Sequence, residues 1–201
     1  MMTPLLLLLA AYIIGGIPFG YLLVLLKTGQ DVRALGSGNI GATNVLRTTG
    51  RAFGVLTLLL DIAKGYAACW LMARFAANDP AWIAAAGVAV VLGHAFPVFL
   101  RFQGGKAVAS FVGVALHIAP AALLGVLIVF VVTVAATRYI SLGSILGAGL
   151  FPFGVWLIYH PSWQVLAAVF FCGGFIVWRH RSNIERLRAG TENVFRFGGK
   201  K

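Results

Sequence analysis

Seven apolar stretches, at roughly residues 4–26, 52–73, 81–100, 107–118, 120–137, 141–159 and 163–178, make up most of this chain, with short polar segments between them. About 20 apolar residues suffice for a helix to cross the hydrocarbon core of a bilayer, where backbone polar groups must be satisfied internally. With 60% hydrophobic residues, 10% charged residues and a mean hydropathy of +0.93, no soluble core could hide this surface. The expected fold class is an all-α integral membrane protein, its 201 residues forming a single membrane-embedded domain.

Proline and glycine refine the spans. The stretch 107–137 is too long for one untilted helix, and His117 and Pro120 mark the break, since proline suits the start of a new helix. Gly16-Ile17-Pro18-Phe19-Gly20 combines a G-x-x-x-G spacing with a proline, which predicts close packing or a kink. The first apolar run has no basic segment before it, and its first lysine, Lys27, follows it. It therefore reads as a retained spanning helix with the N-terminus outside, not as a signal peptide.

Charge sets the parity. Seven spans place fourteen of the sixteen lysines and arginines on one side: Lys27, Arg33, Arg47, Arg51, Arg101, Lys106, Arg138, Arg179, Arg181, Arg186, Arg188, Arg196, Lys200 and Lys201. Arg74 lies opposite and Lys64 lies within a span. Six spans would spoil this positive-inside asymmetry, so seven transmembrane helices are expected, with the C-terminus cytoplasmic. The net charge of +11 is distributed over loop after loop, which points to membrane lipid and phosphate substrates and not to nucleic acid.

The polar material collects at 27–51, 101–110, 138–144 and 179–201, all on the expected cytoplasmic side. In the first, Gly36-Ser37-Gly38-Asn39-Ile40-Gly41-Ala42-Thr43-Asn44-Val45-Leu46-Arg47 is poor helix material. Its glycines and small polar residues suit a tight loop whose backbone N–H groups face an anion, with Arg47 adding a bidentate charge. In the second, Gly104-Gly105-Lys106 precedes Ala107-Val108-Ala109-Ser110. A Walker A loop would need glycine at Leu100 and a hydroxyl at Ala107, so it is not one. Glycines, a lysine and a helix N-terminus nonetheless favour an anion. In the third, Ser141 and Ser144 either cap a helix or line a pocket. In the fourth, His180, Asn183 and Glu192 are groups that bind a polyol or orient an arginine.

Other ionisable groups read as internal. Asp61 and Lys64, spaced i,i+3 within a span, pair on one helix face in either a structural or a functional role. His94 reads as a buried, hydrogen-bonded histidine near the Gly-Gly-Lys turn. Cys69 and Cys172 read as small hydrophobes in helix packing, and no metal-ligand spacing occurs, so neither metal nor cofactor is expected. A transporter of phosphorylated molecules would also want cationic loops, but the chain has no internal repeat and its polar clusters share one side. A small scaffold would explain the G-x-x-x-G helix but not the loops.

Ser37 to Arg47, Gly104 to Ala109 and Gly190-Thr191-Glu192-Asn193 together resemble the three motifs of the bacterial acyl-phosphate:glycerol-3-phosphate acyltransferases, the PlsY family. The resemblance runs in order along nearly the whole chain. Ala107 stands where many members have a third glycine, and Ser110 where threonine is common. It implies a multi-pass enzyme of the bacterial inner membrane, expected to be monomeric, with its active site on the cytoplasmic side. The reaction implied is transfer of a fatty acyl group from acyl phosphate to the 1-hydroxyl of sn-glycerol 3-phosphate. Lysophosphatidic acid and inorganic phosphate are the products, in the first acylation step of phospholipid biosynthesis.

On this reading Gly36, Gly38, Asn39, Ile40, Gly41, Ala42 and Thr43, with Gly104 and Gly105, cradle the acyl phosphate. Ser37, Arg47, Lys106, Ser141, Ser144, His180, Asn183 and Glu192 serve glycerol 3-phosphate, and Ser37, Asn44, Arg47, Lys106 and His180 carry catalysis. The H-x-x-x-x-D signature of acyl-CoA acyltransferases is absent after His94, His117, His160 and His180. That favours a donor that already carries a good leaving group, with the enzyme supplying position and charge. The resemblance itself implies substrate-assisted catalysis, in which an acyl-phosphate oxygen accepts the hydroxyl proton.

Overall fold

The structure, a computed structural model, describes residues 2–195 and is helical throughout, in two compact units that meet in sequence between Ile118 and Ala119. Arg196, Lys200 and Lys201, counted in the charge asymmetry, lie outside the described residues. Among the described residues five segments are long and apolar enough to cross a membrane: Thr3–Thr28, Arg51–Phe75, Pro80–Leu100, Pro120–Thr137 and Ile140–Tyr159. A sixth is reached when Trp163–Arg179 is taken with Arg181–Arg188, from which it is bent by 52°. Val108–Ile118 is apolar but has only 11 residues, about 16 Å of helix, roughly half a hydrocarbon core.

The first unit holds α1 (Met2–Gly16), α2 (Phe19–Thr28), α3 (Ala42–Thr49), α4 (Arg51–Phe75), α5 (Pro80–Ala95) and α6 (Val108–Ile118). The expected kink is a full break between α1 and α2 at Ile17-Pro18, where proline has no N–H to continue the ladder. Helix α5 begins as its sequence dictates: Asp79 accepts from the N–H groups of Ala81 and Trp82, and Pro80 takes the first turn. It ends before Pro97, and a 3₁₀ turn at Val98–Leu100 follows.

Helix α1 packs on α5, and α4 on α6 and α3. These crossings are close because glycine stands at them. A Cβ at Gly93 would sit on the Tyr12 carbonyl, one at Gly15 on the Val90 carbonyl, one at Gly65 on the Ser110 carbonyl and one at Gly113 on the Ile62 carbonyl. In lipid, where apolar side chains gain nothing from meeting each other over meeting acyl chains, such backbone approach is the main source of helix association.

The second unit holds α7 (Pro120–Thr137), α8 (Ile140–Tyr159), α9 (Trp163–Arg179) and α10 (Arg181–Arg188), with α8 packed on both α7 and α9. Pro120 opens α7 as the sequence predicts. Leu124, Ile128, Val131 and Val132 on α7 are each close to 60% exposed, a surface that only lipid solvates favourably. Cys69 and Cys172 are buried among the helices, as expected.

Gly113→Ala should drive its new methyl into the Ile62 carbonyl and lower stability by about 1–3 kcal/mol, as overpacking of a tight interior does. Thermal unfolding in detergent reads the loss as a lower midpoint.

Candidate active site

Two of the four polar clusters meet in the first unit and two in the second. In the first unit the segment from Gln30 onward is organised by its own side chains. Asp31 accepts from the Arg33 backbone N–H at 2.8 Å and pairs with its guanidinium at 2.6 Å, which caps the 3₁₀ turn Val32–Ala34. The hydrogen bond from Arg33 holds the Asp31 carboxyl below its ordinary range.

Asn44 then builds the glycine-rich loop. Its side chain is 2% exposed; its Oδ1 accepts from the Ser37 N–H at 2.9 Å, and its Nδ2 donates to the carbonyls of Asn39 at 2.8 Å and Leu35 at 3.0 Å. Gly36 and Gly38 take φ values of +55° and +71°, which the turn requires. Asn39 Oδ1 accepts from the Gly41 N–H at 2.8 Å.

This internal bonding divides the loop's amides. Those of Ser37, Gly38 and Gly41 are taken by Asn44, Leu35 and Asn39. Those of Asn39, Ile40, Ala42 and Thr43 donate to no protein acceptor among the described residues. The last two open α3, where helix geometry leaves the first N–H groups without partners and adds a favourable dipole for an anion. Arg47 lies exposed in the last turn of α3. Ile40 has a different duty: its side chain is buried with Val24, Val32, Val45 and Leu100, tying the loop to the segment that leads into Gly104–Lys106.

The glycines of that second segment allow the close backbone approach expected of them. The Gly104 N–H donates to the Ala95 carbonyl at 3.2 Å and the Gly105 N–H to the His94 carbonyl at 3.1 Å, so neither amide is turned to an anion. A Cβ at Gly104 would sit on the His94 carbonyl, and one at Gly105 on the His94 ring. The pair is glycine so that the chain can lie against the end of α5. Ala107 has φ +62° and is 1% exposed; Arg101 and Phe102, earlier in the same segment, also take positive φ, at +52° and +62°. The helix accordingly starts at Val108.

In the second unit the sequence-predicted residues gather on Glu192. Its Oε1 accepts from Asn183 Nδ2 at 2.8 Å and from Ser141 Oγ at 3.1 Å, and its Oε2 meets Arg186 Nε at 2.8 Å. The Phe195 N–H donates to the Arg138 carbonyl at 2.7 Å, holding the segment that carries Glu192. Burial alone would raise the Glu192 carboxyl. The hydrogen bonds from Asn183 and Arg186, the Arg186 charge and the Ser141 hydroxyl outweigh it, and the net shift is downward. Ser141 therefore does not cap α8, whose N-cap is Tyr139, and the Ser144 hydroxyl donates to the Ile140 carbonyl at 2.9 Å. His180 joins α9 to α10, and its ring donates through Nδ1–H to the Ile176 carbonyl at 2.8 Å, which fixes the tautomer. Among the described residues no three His, Cys, Asp or Glu side chains converge.

A family model described as glycerol-3-phosphate acyltransferase matches residues 5–190. Relatives named glycerol-3-phosphate acyltransferase include one from Geotalea daltonii and one from Geobacter sulfurreducens. Each is 46% identical over 196 residues, covering 98% of this chain and 100% of the relative. Among solved structures, PlsY, an integral membrane glycerol 3-phosphate acyltransferase, aligns in its glycerol 3-phosphate form with a TM-score of 0.91 and 37% identity, covering 96% of each chain. Its lysophosphatidic acid form aligns with a TM-score of 0.88 and 36% identity over the same shares.

Ala107→Gly should relieve a left-handed backbone strain at a buried turn and raise stability by about 0.5–1 kcal/mol, seen as a higher melting midpoint in detergent. The Glu192 cluster makes a pH prediction of definite sign. A carboxyl lowered in the folded state stabilises it in full above its ordinary value of 4.5, and that contribution is lost as pH falls through the folded value. Glu192→Gln should remove that acid-side dependence from the melting curve while lowering the midpoint at neutral pH.

Proposed function

The chain belongs to the glycerol-3-phosphate acyltransferase family, and from that premise we propose that acyl phosphate is its donor and the 1-hydroxyl of glycerol 3-phosphate its acceptor. The single observation that carries this reading is the loop that Asn44 holds open. Four amides, at Asn39, Ile40, Ala42 and Thr43, donate to no protein group at the N-terminus of α3, which suits the phosphate of an acyl phosphate. Of the expected cradle of Gly36, Gly38, Asn39, Ile40, Gly41, Ala42 and Thr43 with Gly104 and Gly105, these four amides are the donors proposed to face the anion. Asn44 is a positioning residue for it.

Arg47 and Lys106 supply cationic contacts for glycerol 3-phosphate, and Ser37 a hydroxyl. His180 and Asn183 remain proposed substrate contacts of the second unit, taken by itself. Ser141 and Glu192 act by holding Asn183, and Ser144 contributes packing at the start of α8.

In the reaction, the 1-hydroxyl oxygen attacks the carbonyl carbon of the acyl phosphate. The ester C–O bond forms, the C–O bond to phosphate breaks, and the hydroxyl proton passes to a phosphate oxygen. Inorganic phosphate leaves and lysophosphatidic acid remains. The leaving group is already good, so positioning and stabilisation of its charge account for catalysis. The charge asymmetry supports seven crossings, with the N-terminus outside and this chemistry on the cytoplasmic side. A monomer in the inner membrane is proposed from the family reading alone.

Purified protein in detergent should release phosphate from palmitoyl phosphate only when glycerol 3-phosphate is also present, and should not turn over palmitoyl-CoA. Turnover of palmitoyl-CoA at a comparable rate would overturn the donor assignment. Lys106→Ala should lower kcat/KM for glycerol 3-phosphate by about 10–100-fold, the worth of one charged hydrogen bond. Loss of turnover in His180→Ala with substrate binding intact would replace substrate-assisted transfer by general-base catalysis.

A further inference from the structure

The first unit buries a polar chain that the proposed chemistry does not use. Lys64 Nζ lies 2.8 Å from Asp61 Oδ1, donates to the Ile17 carbonyl at 2.9 Å and sits 5.6 Å from the centre of the Phe19 ring. Asp61 and Lys64 are 2% and 4% exposed, in the middle of α4. Asp61 Oδ1 is also 3.7 Å from His94 Nδ1, which is 3.3 Å from the Ser110 hydroxyl. From His94 the chain reaches the Gly-Gly-Lys turn twice, through its carbonyl, which accepts from Gly105, and through its ring, which occupies the space that a Cβ at Gly105 would need.

At the other end, Ile17 lies in the break that sets where α2 begins. Three residues on, Gly20 lets α2 approach the Ile40 carbonyl so closely that a Cβ there would overlap it. The polar chain thus ends on one side at the turn carrying Lys106 and on the other at the helix backing the 36–47 loop.

We propose that Asp61, Lys64 and His94 are positioning residues that hold the Lys106 turn and the 36–47 loop in register, and so set the affinity for glycerol 3-phosphate. The inference rests on the role given to Lys106 above. Its physical basis is that an ammonium ion held by a carboxylate, a backbone carbonyl and a ring face has one low-energy place in an apolar interior. A hydrophobic contact of equal size would tolerate a slide. Ser110 fixes the imidazole ring against which Gly105 lies.

The test uses the full chain in detergent and compares Ser110→Ala and the double variant D61N/K64M with wild type and Lys106→Ala. Melting midpoint, kcat and KM for glycerol 3-phosphate are measured, with palmitoyl phosphate as donor. The double variant removes both charges together, leaves no unpaired ion, and should melt within a few degrees of wild type. Its KM should nonetheless rise about tenfold and that of Ser110→Ala about threefold, as expected where a displaced positioning hydrogen bond misaligns a binding group.

Wild-type KM and kcat in variants that keep the wild-type midpoint would overturn the proposal, because a purely structural network predicts that result. Should the double variant fail to fold, Ser110→Ala decides alone, since it leaves the ion pair intact. Lys106→Ala separates the two readings. A wild-type KM there sinks the substrate role of Lys106. A raised KM there, beside wild-type values in the network variants, sinks the network only.

Discussion

The ammonium group of Lys64 occupies the place that a bound cation would take in a broken membrane helix: a carboxylate on one side, a backbone carbonyl at the break on another, an aromatic face on a third. Pro18 removes a donor at the break, and the Ile17 carbonyl there accepts from the Phe19 N–H at 3.2 Å and from Lys64 Nζ at 2.9 Å. With that support, α1 and α2 can run as separate helices, and α2 can turn its glycine edge to the 36–47 loop. An intramembrane lysine therefore makes irregular backbone tolerable close to the loops.

The glycine-rich loop depends on that support but keeps its shape by other means. A stretch with so many small residues has high conformational freedom, and ordering it for a ligand would cost about 1–2 kcal/mol per residue. Asn44 meets that cost in advance. A buried carboxamide has two donors and an acceptor, and here it engages the backbone at residues 35, 37 and 39. The amides left over are the ones that the fold does not need. A phosphate meeting them would find donors already aligned.

Periodicity and punctuation made much of this legible in the sequence. Apolar run lengths gave the helices, Pro120 the split between α6 and α7, Pro18 the break, and the i,i+3 spacing the Asp61–Lys64 pair. All are local signals. The roles of Gly104 and Gly105 were not local. Their glycine character answers to His94, ten residues away and across a turn, and nothing in a G-G-K string distinguishes backbone packing from anion binding. Ser141 likewise meets Glu192, 51 residues further on, so reading it as a helix cap or a pocket hydroxyl had no access to its partner. Asn44 stands in the motif as a residue that fixes the loop's shape and joins catalysis; its burial and its three partners, visible only in three dimensions, show how it holds the loop.

The same contrast bears on why the proposed chemistry needs so few reactive groups. Most of the buried polar side chains bind one another or the backbone: Asp61 with Lys64, Ser110 with His94, Asn183 and Ser141 with Glu192. An enzyme that had to create a nucleophile would need some of these groups with displaced acidities and open faces toward substrate. A mixed anhydride of a fatty acid and phosphate brings its own leaving group and its own proton acceptor. Under that chemistry, what remains for the protein is to fix two anions at the right separation. Rigid backbone amides do this better than flexible acids and bases, because their direction is set by the fold and their charge does not change with pH. Buried ion pairs and amide latches are then not a substitute for catalytic residues but the means by which uncharged backbone becomes catalytic.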